Sequence, residues 1–274
     1  MTEGIAEIGF ARDGGVTRLT HLYQRDPLRV MFPTTGAGDP PLAMIVTTSG
    51  GLVAGDRLDI AVRAEADTAA HITSSAAEKV YRSTGRTTTI SQFLSVDARA
   101  IIEFLPLETI LFDGARLNRQ TVVELGPASG FLGGDIVVFG RRARGERLTH
   151  GFVREVWQVR RNGKLIWGDA LHLEDDVARL IDDPACFDGA AAFASMILSP
   201  PHECPQGFLG AAPAIRPSDP AVIRAGVTTV AGLVIARWLA YDTAALRRAY
   251  ADLASRFRSA ALGLPSHLPR SWHF

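Results

Sequence analysis

Acids set inside apolar stretches are the residues of this chain whose type and position could do chemistry. Asp135 stands in FLGGDIVVFG, Asp169 in LIWGDALHL and Glu103 in AIIEFLPL. A carboxylate taken out of water without a partner is costly or is driven neutral. Such acids either sit on the polar face of a strand or line a hydrated interior where they attract cations. The alternation around Glu103 favours the outward position. For Asp135 and Asp169, each preceded by glycine, both positions stay open.

Other groups point less clearly to chemistry. The histidines at 21, 71, 150, 172, 202, 267 and 273 form no HxH, HExxH or HxxxH pair, so no preformed transition-metal site is visible. His202-Glu203-Cys204 could offer imidazole and thiolate to a borderline-soft ion such as Ni²⁺, although adjacent loop residues tend to point apart. SGGLVAGDRL (residues 49–58) meets neither the Walker A nor the GxGxxG spacing and reads as a strand corner where glycine permits close backbone approach. In HITSSAAEKVYRS (residues 71–83) a serine nucleophile would have to pair Ser74 with His71 or His150, and the GxSxG elbow is missing.

These residues are carried on short, mostly alternating apolar bursts from about Leu28 to Leu173, broken by Gly, Pro, Asp or Asn at roughly ten-residue spacing. The pattern predicts a mainly β fold with many strands in antiparallel or mixed sheets. Asn162-Gly163 between VWQVRR and KLIW predicts a tight hairpin. After Glu174 come an apolar AAFASMILS, a Pro-rich loop from Pro200 to Pro220 and a buried strand GLVIARWLAY. A helix then opens on Asp242 and repeats Leu246, Ala249, Tyr250, Leu253 and Phe257 before Gly263. No repeat or linker divides the chain, so residues 1–274 are expected to form one domain with one or two helices near the C-terminus.

Composition bounds the function class. The 274 residues carry 29 Lys+Arg against 29 Asp+Glu, with 47% hydrophobic residues. No basic excess is present to neutralise nucleic acid or coat an anionic membrane. Two cysteines, Cys186 and Cys204, cannot build a disulfide framework. With no signal-peptide pattern and no long apolar run, a soluble cytoplasmic protein is expected.

Five blocks in order, SGGLVAGDRL, SSAAEKVYRS, LPLETILFDGARL, GDIVVFGRRARGE and the terminal LPRSW, resemble the urease accessory proteins of the UreD type, called UreH in some organisms. The resemblance covers nearly the whole chain and departs from the family pattern at Ala54, Ser75, Glu78 and Leu107. It implies an elongated, coiled or stacked sheet arrangement and a scaffold for nickel delivery rather than a catalyst. The implied partners are UreF, UreG and the urease structural subunits, with no nucleic acid, no membrane and room for dimerisation within the complex. The implied cargo is transient Ni²⁺, with no cofactor held tightly. Asp56, Asp135 and Asp169 occupy positions where the family commonly carries acids, with Glu108 and Asp113 next in line, and oxygen ligands hold a divalent ion loosely enough to let it go. The alternatives are an assembly protein without an ion path and a β-fold metal-dependent hydrolase.

Overall fold

The computed structural model describes residues 1–202 and 221–273. Its chain alternates between two stacked sheets, which explains the ten-residue rhythm of the sequence. Sheet I receives β1 (Glu3–Asp13) and β2 (Val16–Arg25), and sheet II receives β3 (Leu28–Met31) and β4 (Leu42–Thr47). The chain returns to sheet I with β5 (Arg57–Ala64), then crosses with β6 (Ala69–Ser74) and β7 (Glu78–Val80). β8 (Thr88–Val96) lies in sheet I, β9 (Ile101–Phe104) and β10 (Thr109–Leu111) in sheet II, and β11 (Arg116–Leu125) in sheet I again. β12 (Gly130–Phe139) joins sheet II, and β13 (His150–Arg161) and β14 (Lys164–Asp176) complete sheet I. After the short helix α1 (Val177–Asp182), sheet II is extended by β15 (Ala192–Ser199), β16 (Ile223–Val230) and β17 (Leu233–Ala240), and helix α2 (Thr243–Leu262) follows.

Each return to a sheet runs in the same direction as the last, so the interior pairs are parallel. In sheet I, with order β14-β13-β11-β8-β5-β1-β2, every pair from β1 to β13 is parallel and only the two outer pairs are antiparallel. In sheet II, β4, β6, β9 and β12 pair in parallel, while β3 and β15 to β17 add antiparallel ribbons. The fold is therefore mainly β, mixed and solenoid-like. Alternation and turn spacing look the same for both pairing modes, so the sequence pattern does not separate them.

Two apolar layers result. Ile8, Ile60, Leu94, Val123, Phe104 and Phe139 belong to the core between the sheets, and Leu132, Met196, Trp238, Tyr250 and Phe257 to the one between sheet II and α2. β12 is buried along its whole length because it lies between both layers. Helix α2 starts where Asp242 accepts from the backbone N–H of Ala244 and Ala245 and stops at Gly263 with φ 67°. The predicted hairpin forms, with Asn162 at φ 51° and Gly163 at φ 76°.

Glu103 departs from its expected outward exposure. It does point away from the inter-sheet core, but α2 covers that face: Glu103 is fully buried against Arg258 Nε at 2.7 Å and His71 Nδ1 at 2.9 Å. The strands β1, β2, β6, β7, β10 and β16 fall outside the bursts read from the sequence. Glu203, Cys204 and most of the Pro-rich loop lie outside the described residues. Among the described residues no helix is long and apolar enough to cross a membrane.

Candidate functional site

The inner face of each strand in sheet I is set by alternation, and four of these inner positions, Gln92, Arg119, Thr121 and Glu155, carry polar groups in neighbouring rows. On β11, Leu117, Arg119, Thr121 and Val123 point inward; on β13 so do Val153, Glu155, Trp157 and Val159. Register places Arg119 beside Glu155, and Thr121 beside Gln92 on one side and Trp157 on the other. Thr121 Oγ1 donates to Gln92 Oε1 at 2.6 Å. From sheet II, the inward residues of β12 are Phe131, Gly133, Asp135, Val137 and Phe139, so Asp135 faces the polar rows of sheet I.

Arg119 joins the two sheets. Its Nη2 lies 2.6 Å from Glu155 Oε1 and 3.1 Å from Asp135 Oδ1, and its Nη1 donates to Thr109 Oγ1 at 2.9 Å. The other Asp135 oxygen accepts from the Trp157 indole N–H. All four side chains, Arg119, Asp135, Glu155 and Trp157, are buried. Burial works against the guanidinium charge, yet Asp135 and Glu155 outweigh it and hold Arg119 firmly protonated. Burial pushes Glu155 up to about 7, with Arg119 opposing and Asp135 adding to the rise. Burial likewise raises Glu78, against the hydrogen bonds it accepts from Thr47 and Lys79 N–H.

Polar groups run on from this cluster in both directions. Toward one edge a cavity of about 140 Å³ is lined by Thr47, Glu78, Gln92, Thr109 and Arg119, and its mouth carries Gly50, Gly51 and Ser75 to Lys79. The glycine-rich corner reaches that mouth because Gly51, at φ 144°, lies so close to the Tyr81 ring and the Lys79 carbonyl that a Cβ would collide. Leu52 N–H donates to Lys79 O at 2.7 Å and Tyr81 N–H to Leu52 O at 2.9 Å, so the SGGLVAGDRL and SSAAEKVYRS blocks dock on each other. Toward the other edge, Asp135 is in register with Ser195 and Ser195 with Arg237. Arg237 Nη2 reaches across to Asp169 Oδ2 of sheet I at 2.7 Å, in a surface cleft that also exposes Arg224 and Phe193. A polar seam thus crosses the molecule between the sheets.

The five acids that the resemblance assigns to the passage are not gathered in one place. Asp135 lies in the middle of the seam and Asp169 at its far end. Asp56 is a buried pin: it accepts from Thr2 N–H at 2.8 Å, Thr2 Oγ1 at 3.0 Å and Val53 N–H at 3.0 Å, which ties the start of β1 to the corner before β5. Asp113 clamps a loop crossing through Thr149 N–H at 2.7 Å and Thr149 Oγ1 at 2.8 Å. Burial opposes its charge, yet those bonds and the His150 N–H hold its carboxyl below the usual range. Glu108 faces α2 and pairs with Arg247 Nη1 at 3.3 Å. Arg119, Glu155 and Gln92 are seam residues that the sequence reading passed over, and Glu78 entered it only as a departure from the family pattern. Their signal was a polar residue at an inward position of an alternating strand. Among the described residues no three His, Cys, Asp or Glu side chains converge as a metal cage.

A family model described as UreD urease accessory protein matches residues 2–273. The chain belongs to that family. It is 42% identical over 275 residues to urease accessory protein UreD of Magnetococcus marinus, covering 98% of this chain and 93% of the relative. Urease accessory protein UreD of a Methylobacterium species is 37% identical over 264 residues, covering 94% and 90%. Urease accessory protein UreD 2 of Methylorubrum populi is 38% identical over 269 residues, covering 98% and 87%. Near-full coverage on both sides means that both sheets, the seam between them and α2 fall within the matched region of a UreD protein.

Proposed function

We propose that the chain, acting as a single unit over residues 1–274, is a non-catalytic scaffold of urease maturation in the cytoplasm. It binds the urease apoenzyme together with UreF and UreG and passes Ni²⁺ toward the urease site. Membership of the UreD family supports the maturation role. The seam supports the relay: its polar residues run from a cavity mouth on one edge, through Asp135, toward the Asp169 cleft on the other.

The chemistry of the seam suits transit. Its acids are hard oxygen donors spaced along a line, and each is already engaged by an arginine, an indole or a hydroxyl. An ion entering such a line meets ligands it can leave, whereas a cage of imidazole and thiolate would retain nickel. Asp135 and Asp169 are the acids of this reading. Asp56 serves it indirectly, by holding the corner that leads to the mouth, whereas Asp113 fastens the loop at Thr149 away from it.

The test uses co-expression with the urease subunits, UreF and UreG. Asp135→Asn combined with Asp169→Asn should co-purify with the partners as the parent does while urease in the complex gains less nickel and less activity. Undiminished nickel content in an intact complex would leave the assembly role without an ion path. Urease that matures equally well without this chain would overturn both.

A further inference from the structure

The centre of the seam is already occupied by a positive charge. Arg119 lies between Asp135 and Glu155, and no other cationic side chain contacts either acid among the described residues. A guanidinium there takes the place that a cation held between two carboxylates would take. Arg119 also borders the cavity of about 140 Å³, whose wall carries a third acid, Glu78, within electrostatic reach of the guanidinium. The side chain therefore has both room and a second counter-charge on the mouth side.

We propose that Arg119 is a tethered plug: its guanidinium fills the cation position between Asp135 and Glu155, and a divalent ion enters only when the side chain swings toward Glu78. The inference rests on the passage reading above and adds its gate. Like charges a few ångströms apart in a poorly hydrated interior repel strongly, so the guanidinium and the ion exclude each other from the same pair of acids. Two discrete positions of one long side chain, each with its own carboxylate, make a switch with no backbone movement. The closed position keeps the acids paired when no cargo is present, which a buried carboxylate pair requires.

Arg119→Gln, made in the full chain, tests this by isothermal titration with NiCl₂. With the plug removed, Asp135 and Glu155 should bind Ni²⁺ at least about tenfold more tightly than in the parent chain, a change of about 1.4 kcal/mol. The gain should vanish in Arg119→Gln combined with Glu155→Gln. Should the single variant be too unstable to titrate, its melting temperature serves instead. Ni²⁺ should raise it more than it raises the parent's, with NaCl at matched ionic strength as the control, because a ligand of the folded state alone stabilises that state. Equal nickel affinity, or equal stabilisation by nickel, overturns the plug. That failure is separate from failure of the passage, which is read from urease nickel content in the Asp135→Asn, Asp169→Asn complex.

Discussion

At the scale of single residues, the same carboxylate chemistry serves different ends according to its partners. Asp56 is satisfied by two backbone N–H groups and one hydroxyl, so it acts as a fastener. Asp56→Ala should strand those donors and lower the unfolding free energy by about 1–3 kcal/mol in denaturant titration; an unchanged midpoint would show that the pin is idle. Glu155 is the opposite case, since burial pushes it up to about 7 while a solvated Glu in the unfolded chain titrates near about 4.3. Between those values the folded state holds the extra proton, so unfolding free energy falls as pH rises through the window and is level on either side. Melting temperature should therefore drop between about pH 4.3 and about pH 7, and less steeply in Glu155→Gln; parallel curves would contradict the assignment. Asp135 was visible in the sequence because an acid inside a continuous apolar run is conspicuous. Arg119 and Glu155 were not, because each sits in a strand whose outward positions are also polar, and only register brings the two side by side.

At the scale of elements, β12 and α2 define the second layer. Gly134 lies on the α2 face of β12, where a Cβ would overlap the Ser195 carbonyl oxygen and press on the Tyr250 hydroxyl. Gly134→Ala should cost about 1–3 kcal/mol by overpacking, read as a lower denaturation midpoint; an unaltered midpoint would mean that β15 and α2 can yield. The strands β3 to β5, β8, β9, β11 to β14, β17 and α2 were legible, since period-two alternation, an Asn-Gly turn and an Asp cap act locally, whereas the short strands β6, β7 and β10 were not. β2 was not, because it is an edge strand exposed on both faces and carries no alternation. Parallel pairing was also hidden, because it depends on the chain returning to a sheet in the same direction, a property of the coil and not of any one strand. Glu103 shows the same limit: its direction follows from alternation, but the covering of that face by α2 does not.

At the scale of the whole molecule, 29 basic and 29 acidic residues cancel, and the distribution of pairs carries more meaning than the sum. Surface pairs such as Arg25 with Glu3 and Arg99 with Asp67 are solvated and add little. The buried sets, Arg119 with Asp135 and Glu155, and Arg258 with Glu103 and Asp39, lie on opposite faces of sheet II. Among the described residues the first borders the cavity beside Glu78 and the second borders the pocket that holds His71 and His267, so the two sets face different spaces. The consequence is quantitative. A relay whose acids are all engaged by protein partners must hold nickel weakly, because each ligand contributed to the ion is taken from an existing bond. Equilibrium dialysis of the full chain at neutral pH should show no nickel site tighter than about the micromolar range, roughly 8 kcal/mol of binding, that depends on Asp135 or Asp169. A tight site abolished by Asp135→Asn would mean that the subunit stores the ion. Weak binding in the parent, strengthened once Arg119 is replaced, would place the control of transit in that one guanidinium.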